Sequence, residues 1–299
     1  MHVEPSQRLT RMLGETYGSA AAADWLAALP GLTGRTLAEH GLDVDRVAAP
    51  GGRSSLVVLV RRGDGTPAAL KLAPPFAAPA LELAALAHWN GWGAVLPLDS
   101  GAGPEGLLLE RLHPEVSLRS LPEAKALLEA AGTVRKLWVE PSPAHGFETV
   151  AERTARQAEP MRAVADPAVA PLVAAALAAR DELVAGPGEE LLLHGNFRQS
   201  KVLSGERAPW LAVGPEPLVG ERAYDLARLV RDRVEDLIAA PGGAAAARRR
   251  VTKLADALDV DRERLHGWTL FRAVESGTRA VAAGRVDDGE LLLEFASWL

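Results

Sequence analysis

The chain has 299 residues, a length that fits about two compact units with a large apolar core. It contains no cysteine, which excludes disulfide frameworks, thiolate metal sites and cysteine nucleophiles. The formal net charge of -6 at pH 7 argues against a general nucleic-acid binder, whose phosphate contacts need excess positive charge. Because the start lacks signal-peptide features and no apolar run approaches the about 20 residues of a membrane span, we expect a cytoplasmic protein with no membrane partner.

The first part of the sequence combines helical and β patterns. Residues 6–48 have the apolar spacing of helices, and a glycine-rich turn at residues 51–55 follows them. Short apolar runs and a helical pattern then predict a small antiparallel sheet with one helix. The predicted strands are 56–60, 68–72, 95–98 and 107–110, and the predicted helix is 80–90.

Helical periodicity dominates after residue 120. We predict helices at 122–139, 147–165, 168–185, 222–239, 244–258, 261–283 and 287–298, with short β segments at 190–195, 202–203 and 210–213. This order favours an α+β, bilobal fold, with a small β-rich N-terminal lobe over residues 1–112 and a large helical C-terminal lobe over residues 113–299. A cleft between such lobes is where a small-molecule ligand is expected.

Several candidate ligand-binding residues lie in the predicted N-terminal lobe. Lys71 ends a strand and Glu82 lies in the next helix, the order in which kinases tie a lysine to the α/β-phosphates of ATP. Ser54 and Ser55 lie in the glycine-rich turn, whose N–H groups could cover phosphates, although it is not a P-loop. The run ending at Glu110 is similar to a kinase hinge that pairs with adenine. A chance strand-end lysine, a hairpin entry and an edge strand are the plainer alternatives.

The most specific motif is L-L-H-G-N-F-R-Q-S-K-V-L at residues 192–203. It resembles the H-G-D-x-x-x-x-N-[VI]-L catalytic loop of the aminoglycoside phosphotransferases. Residues 210–217 resemble the family's apolar strand ending in I-D-P, and residues 219–227 resemble its G-[ED]-x-x-Y-D-L-A helix start. The branch resembled is that of the streptomycin 6-phosphotransferases and hydroxyurea phosphotransferases, from about residue 15 to the C-terminus. The resemblance implies a protein-kinase-like fold and ATP-dependent phosphate transfer to a small molecule.

Three positions depart from the family's pattern. After His194, the catalytic Asp of the family is replaced by Asn196, whose amide accepts no proton at neutral pH. The loop Asn that ligates Mg²⁺ is replaced by Lys201, and the chelating Asp after the next strand is replaced by Gly214. The base and both metal ligands of the family are therefore missing together. This indicates a pseudokinase that binds a nucleotide or another small ligand without catalysing transfer.

Two residues leave alternatives open. Glu216 lies two residues beyond Gly214 and is the one candidate for a displaced metal ligand, which would restore an active ATP-dependent O-phosphotransferase with an aminoglycoside-type acceptor. Lys201 either pairs with phosphate oxygens, so that ATP or another nucleotide binds without Mg²⁺, or is a solvated lysine. Asp225, in the Y-D-L-A segment, is expected to brace the catalytic-loop backbone. The sequence does not indicate the ligand's identity or the oligomeric state.

Overall fold

The computed structural model describes residues 5–49, 51–98, 106–186 and 188–299. The strands are β1 Asp43–Val47, β2 Leu56–Arg61, β3 Pro67–Leu72, β4 Gly106–Glu110, β5 Leu112–Ser117, β6 Leu191–Leu193, β7 Val202–Gly205, β8 Leu211–Ala212 and β9 Leu218–Gly220. The helices are α1 Gln7–Tyr17, α2 Ser19–Glu39, α3 Pro79–Trp89, α4 Glu123–Leu137, α5 Val150–Arg162, α6 Ala170–Ala185, α7 Arg222–Val230, α8 Val234–Ala239, α9 Gly243–Leu258, α10 Arg262–Ala282 and α11 Val286–Ser297. These elements group into two compact units, the first Met1–Leu121 with Val202–Gly214 and the second Pro122–Lys201 with Pro215–Leu299.

The first unit is built on a four-stranded antiparallel sheet with the order β1-β2-β3-β4. Alternate residues of β2 and β3 are buried with residues of α1 and α2, so the two helices cover one face of the sheet. The helical interpretation of residues 6–48 is wrong at its end, because β1 pairs with β2 as an edge strand. The predicted strand at 95–98 is reduced to an isolated bridge between Pro97 and Leu109.

A second sheet of the first unit joins distant parts of the sequence. β5 pairs with β7 and β7 pairs with β8, both antiparallel, and Ala94 forms a bridge to Ala212. These pairings bring residues 202–214 to the N-terminal elements. The first compact unit therefore extends beyond residue 112, the predicted end of the N-terminal lobe, and also includes residues 202–214.

The second unit is a helical assembly around α10. Trp268 and Phe271 of α10 are fully buried, and α6, α7 and α11 pack against this helix. The ring of Tyr224 on α7 meets the edge of Trp268 at a centroid distance of 5.3 Å. The helix predicted over 222–239 is divided into α7 and α8, because Arg233 adopts a left-handed conformation with φ 55°.

Strands form the framework of the first unit, whereas helices form most of the second, as the predicted α+β class requires. In the second unit β6 and β9 make a two-stranded antiparallel pair, and the motif residues 194–201 follow β6 directly. Within the described ranges, no helix has both the length and the apolar character needed to cross a membrane.

Candidate functional site

Asp225 holds the backbone of the motif loop. It lies in the first turn of α7, is completely buried, and accepts hydrogen bonds from the backbone N–H groups of His194 and Gly195 at 2.9 and 2.8 Å. The indole N–H of Trp138 donates to the same carboxylate at 3.4 Å. Burial raises the pKa of Asp225 above its ordinary value, an effect that these bonds and the charge of Arg272 oppose. The expectation that Asp225 braces the loop is confirmed.

Gly195 and Glu216 make a close backbone approach that only glycine permits. Gly195 has φ 72°, and a Cβ atom at this position would lie 1.9 Å from the carbonyl oxygen of Glu216. The backbone N–H of Glu216 donates to the carbonyl of His194 at 2.9 Å. This pairing brings the segment after β8 against the loop, although about 20 residues of sequence separate them.

Asn196 is hydrogen-bonded to Glu216. The Asn196 Nδ2 group donates to Glu216 Oε1 at 2.6 Å, and a carboxylate partner fixes the amide with its nitrogen toward Glu216. The other end of the amide, Oδ1, is buried and has no hydrogen-bond partner, in a residue that is 8% exposed. As an amide oxygen, Asn196 Oδ1 can accept a hydrogen bond from a hydroxyl group but does not take up its proton.

Glu216 is an ionised carboxylate among cations. The residue is exposed to solvent, while the protein is dense around its carboxylate. Desolvation alone would raise the pKa of Glu216, but the charges of Lys201, Arg228 and Arg153 and the bond from Asn196 outweigh it and hold this pKa below the ordinary value. Lys201 therefore lies near enough to Glu216 to interact with it electrostatically.

His194 has a structural environment. It is fully buried, its ring meets Phe197 edge to face at 5.6 Å, and its Nδ1 accepts the backbone N–H of Asn196 at 3.2 Å. An accepting Nδ1 places the proton of the neutral ring on Nε2. The imidazole thus fixes the turn that carries Asn196.

Two of the candidate residues in the first unit come together. Lys71 on β3 forms an ion pair with Glu82 on α3, and their side chains are only 12% and 8% exposed.

Ser55 is buried just before β2, where a Cβ atom on Gly52 would lie 2.5 Å from the Ser55 carbonyl oxygen. The close turn brings Ser54 and Ser55 to the start of the sheet.

Glu110, the predicted hinge residue, has its side chain engaged in structural contacts. Its Oε1 accepts the backbone N–H of Leu96 at 2.7 Å, and Arg207 donates to both carboxylate oxygens at 2.6 and 3.1 Å. The same guanidinium donates to the carbonyls of Gly91 and Ala94. The backbone N–H of Glu110 is engaged as well, because it donates to the carbonyl of Leu96 at 2.9 Å.

The comparisons with known proteins identify the family. The family model of the aminoglycoside/hydroxyurea antibiotic resistance kinases matches residues 40–284. The chain belongs to this family. A streptomycin 6-kinase of Streptomyces glaucescens is 34% identical to it over 300 residues, covering 99% of this chain and 95% of the relative. A hydroxyurea phosphotransferase of Kitasatospora aureofaciens is 36% identical over 286 residues, covering 93% of this chain and 79% of the relative.

Solved structures of aminoglycoside phosphotransferases share the fold. The crystal structure of the aminoglycoside phosphotransferase APH(4)-Ia has a TM-score of 0.61 and 16% identity, covering 89% of this chain and 96% of that chain. A variant of that enzyme in a ternary complex with ADP and hygromycin B has a TM-score of 0.60 and 18% identity, covering 88% and 96%. The predicted α+β, bilobal protein-kinase-like fold is confirmed.

The residues present do not fit Mg²⁺ in the way this kinase family would hold it. At the two positions that the resemblance assigns to metal ligands, Gly214 offers no side chain and Lys201 offers a cation. Glu216, the alternative ligand, is already bonded to Asn196 and surrounded by three positive groups. In the part of the chain that the structure describes, no group of three or more His, Asp or Glu side chains is arranged for a metal ion.

Arginines near the loop were not predicted from the sequence. Arg272 on α10 donates to the carbonyls of Gly195 and Tyr224 at 2.9 and 2.8 Å, and its guanidinium stacks 4.2 Å from the Tyr224 ring centre. Arg228 and Arg231 lie one helical turn apart at the end of α7. The three-residue spacing of these two arginines, directly after the Y-D-L-A segment, was the one feature of the sequence that indicated a basic face at the end of α7.

Proposed function

We propose that the protein is a binding member of the aminoglycoside/hydroxyurea kinase family, a pseudokinase that holds a nucleotide or another small ligand without Mg²⁺-dependent phosphate transfer. The observation that carries the proposal is the hydrogen bond from Asn196 to Glu216, with Lys201 beside it. An amide that donates to a neighbouring carboxylate occupies the place where the family has its base.

The loss of the base alone has a large effect on rate. General base catalysis contributes about 10²–10⁴-fold in typical enzymes. Glu216 is a poor replacement, because its lowered pKa makes its carboxylate a weak acceptor of protons near neutral pH. Acceptor activation at this loop is therefore expected to be slow with any hydroxylated substrate.

The local charge also disfavours the metal. Mg²⁺ in phosphate sites is held by one or two carboxylates and by the phosphates themselves. Here one carboxylate, Glu216, faces the positive charges of Lys201, Arg228 and Arg153. A divalent cation at this place would meet more positive than negative charge from the protein.

Retained features support binding of a phosphate-bearing ligand. The Lys71–Glu82 pair remains, and a lysine fixed by a glutamate is the group that kinases use on ATP phosphates. Asp225 still holds the motif loop in place. Each of the two units thus has one feature that kinases use in binding, the ion pair in the first and the held loop in the second.

The second candidate is an active small-molecule phosphotransferase that uses Glu216 as a relocated ligand. It is favoured by the family itself and by the ionised carboxylate of Glu216, which is bonded to Asn196. The relatives named streptomycin 6-kinase and hydroxyurea phosphotransferase suggest the acceptors to test.

The experiment compares the wild type with a variant in which the family's groups are restored. The variant carries Asn196→Asp, Lys201→Asn and Gly214→Asp, and Gly214 has φ 60°, a conformation that Asp tolerates better than most residues. Phosphate transfer from radiolabelled ATP is measured with Mg²⁺ and streptomycin or hydroxyurea. The wild type should show no transfer above the protein-free rate, and the restored variant should exceed it by at least about 10²-fold.

The matched control separates the two candidates. Glu216→Gln removes the proposed relocated ligand and keeps the hydrogen-bonding shape of the side chain. Robust Mg²⁺-dependent transfer by the wild type that disappears in Glu216→Gln would overturn the pseudokinase proposal in favour of the active enzyme.

A further inference from the structure

Asp232 makes a second contact between the region of α7 and the motif loop. Asp225, in the first turn of α7, reaches the start of the loop at the backbone N–H groups of His194 and Gly195. Asp232 lies two residues beyond the end of α7, and its Oδ2 accepts the backbone N–H of Gln199 at 2.5 Å. Carboxylates at the two ends of one helix therefore hold the loop at two separate places.

The contact between Asp232 and Gln199 is buried on both sides. Asp232 is 8% exposed and Gln199 is 0% exposed, so water does not readily replace either partner. A buried carboxylate is costly unless its oxygens are hydrogen-bonded, and a bond from a backbone N–H to a carboxylate is among the stronger hydrogen bonds in proteins. Loss of the Asp232 carboxylate would leave a buried donor of the loop without this partner.

The next residue, Arg233, holds the side chain of Gln199. Its Nε donates to Gln199 Oε1 at 2.7 Å. Arg233 has φ 55°, a left-handed conformation that is strained for a residue with a Cβ atom. Such strain persists where surrounding contacts determine the backbone, and here two consecutive residues bond to the same glutamine.

Arg250 fixes the turn that carries Asp232. It is 4% exposed, and its Nη1 donates to the carbonyls of Val230 and Asp232 at 2.8 and 2.5 Å. Its Nη2 forms an ion pair with Glu123 of α4. Because the last carbonyls of a helix have no partner within it, this buried guanidinium holds the end of α7 and the following turn together.

Lys201 belongs to the same short turn as Gln199. A 3₁₀ turn spans Gln199–Lys201, and the backbone N–H of Lys201 donates to the carbonyl of Arg198 at 2.9 Å. The bonds to Asp225 are made at the start of the loop, so they do not by themselves fix Lys201 at its end. The position of Lys201 therefore depends on how Gln199 is held.

We propose that Asp232 is a positioning residue, which fixes Lys201 at the motif loop by holding the backbone of Gln199. Arg233 assists by holding the Gln199 side chain, and Arg250 assists by holding the turn of Asp232. The inference rests on the proposed function and deepens it, because an ammonium group replaces a metal ion at a phosphate effectively only when it is held in place.

The test measures how fast each lysine of the full chain is acetylated by a water-soluble N-hydroxysuccinimide ester, with peptide mass spectrometry and without ligand. The chain has five lysines, of which Lys125, Lys136 and Lys253 are exposed on helices and serve as internal references. Tryptophan emission shows whether a variant is folded, because Trp268 is buried in the second unit.

Asp232→Ala should raise the acetylation rate of Lys201 at least about fivefold, because the loss of one buried hydrogen bond releases the turn. Asp232→Asn keeps a side-chain oxygen that accepts from the Gln199 N–H, and its Lys201 rate should stay within about twofold of the wild type. The three reference lysines should react equally fast in all of these proteins. A general loss of stability would not change Lys201 alone.

Arg233→Gly separates positioning from stability. It removes the bond to Gln199 and relieves the left-handed conformation, so stability should change little while the Lys201 rate rises about twofold or more. The matched control is Asp259→Gly, which makes the same relief at a residue with φ 53° directly after α9. This control should leave the Lys201 rate unchanged.

An unchanged Lys201 rate in Asp232→Ala overturns the proposal, and so does an equal increase in Asp232→Ala and Asp232→Asn. If Asp232→Ala does not fold, Arg233→Gly decides, because a Lys201 rate equal to that of Asp259→Gly contradicts the positioning role. ATP in EDTA tests the proposed function separately, since a bound nucleotide should slow the acetylation of Lys201 in the wild type. No protection by ATP would overturn nucleotide binding at Lys201 and leaves the comparison of the variants unaffected.

Discussion

Replacing Asp225 with alanine removes the group that holds the motif loop. The carboxylate accepts two hydrogen bonds from buried backbone N–H groups, those of His194 and Gly195. Each donor left without a partner costs about 1–3 kcal/mol, so the gross loss is about 2–6 kcal/mol. Burial raises the pKa of Asp225, which means that desolvation offsets part of this stabilisation. We therefore expect Asp225→Ala to lower the free energy of unfolding by about 3 kcal/mol.

Urea denaturation at pH 7.5, followed by tryptophan fluorescence, measures this loss. The control is Asp181→Ala, which removes an ion pair with Arg180 at a carboxylate whose side chain is 57% exposed and should cost less than about 1 kcal/mol. Equal losses for the two variants would refute the reasoning, because the loop would then not depend on buried hydrogen bonds to Asp225.

Three further outcomes follow from buried charges. Lys71→Met should destabilise by about 3–5 kcal/mol by leaving Glu82 buried without its partner, and the double variant with Glu82→Leu should recover most of the urea midpoint; no recovery would contradict a buried pair. Arg228→Met should raise the free energy of unfolding by about 1–4 kcal/mol, because the repulsion from Arg231, Arg198 and Arg272 exceeds the attraction to Glu216; a loss of stability would contradict this net repulsion. For Glu275, desolvation is outweighed by Arg279, so its pKa is lowered, and the stability it contributes is present above pH 4.5 and is lost as the pH falls through the folded pKa. Glu275→Gln should therefore flatten the decline of the urea midpoint below pH 4.5, and an unchanged decline would contradict the shift.

The sequence predicted those parts of the site that depend on local order and fixed spacing. Lys71 lies near the end of β3 and Glu82 lies in the next helix, α3, and their side chains form an ion pair. The H-G motif and the Y-D-L-A segment predicted the contact between Asp225 and the loop, which is confirmed. Such pairs can be inferred because each partner belongs to a short motif with a definite place in the fold.

The remaining features depend on tertiary contacts without a local pattern. The bond from Asn196 to Glu216 needs the close approach at Gly195, which no periodicity indicates. Arg228 on α7 interacts with Arg272 on α10, although the two arginines are about 40 residues apart in sequence. The left-handed Arg233 divides a continuous helical pattern, because tertiary packing overrides propensity there.

The proposed loss of the metal site is tested most directly by the affinity for ATP with and without Mg²⁺. Calorimetric titrations of the wild type in EDTA and in excess Mg²⁺ give the two dissociation constants under matched salt. Since Lys201 and Arg228 already neutralise Glu216 and Gly214 offers no ligand, the two values should agree within about twofold. An ATP affinity that rises about tenfold or more with Mg²⁺ would contradict the account.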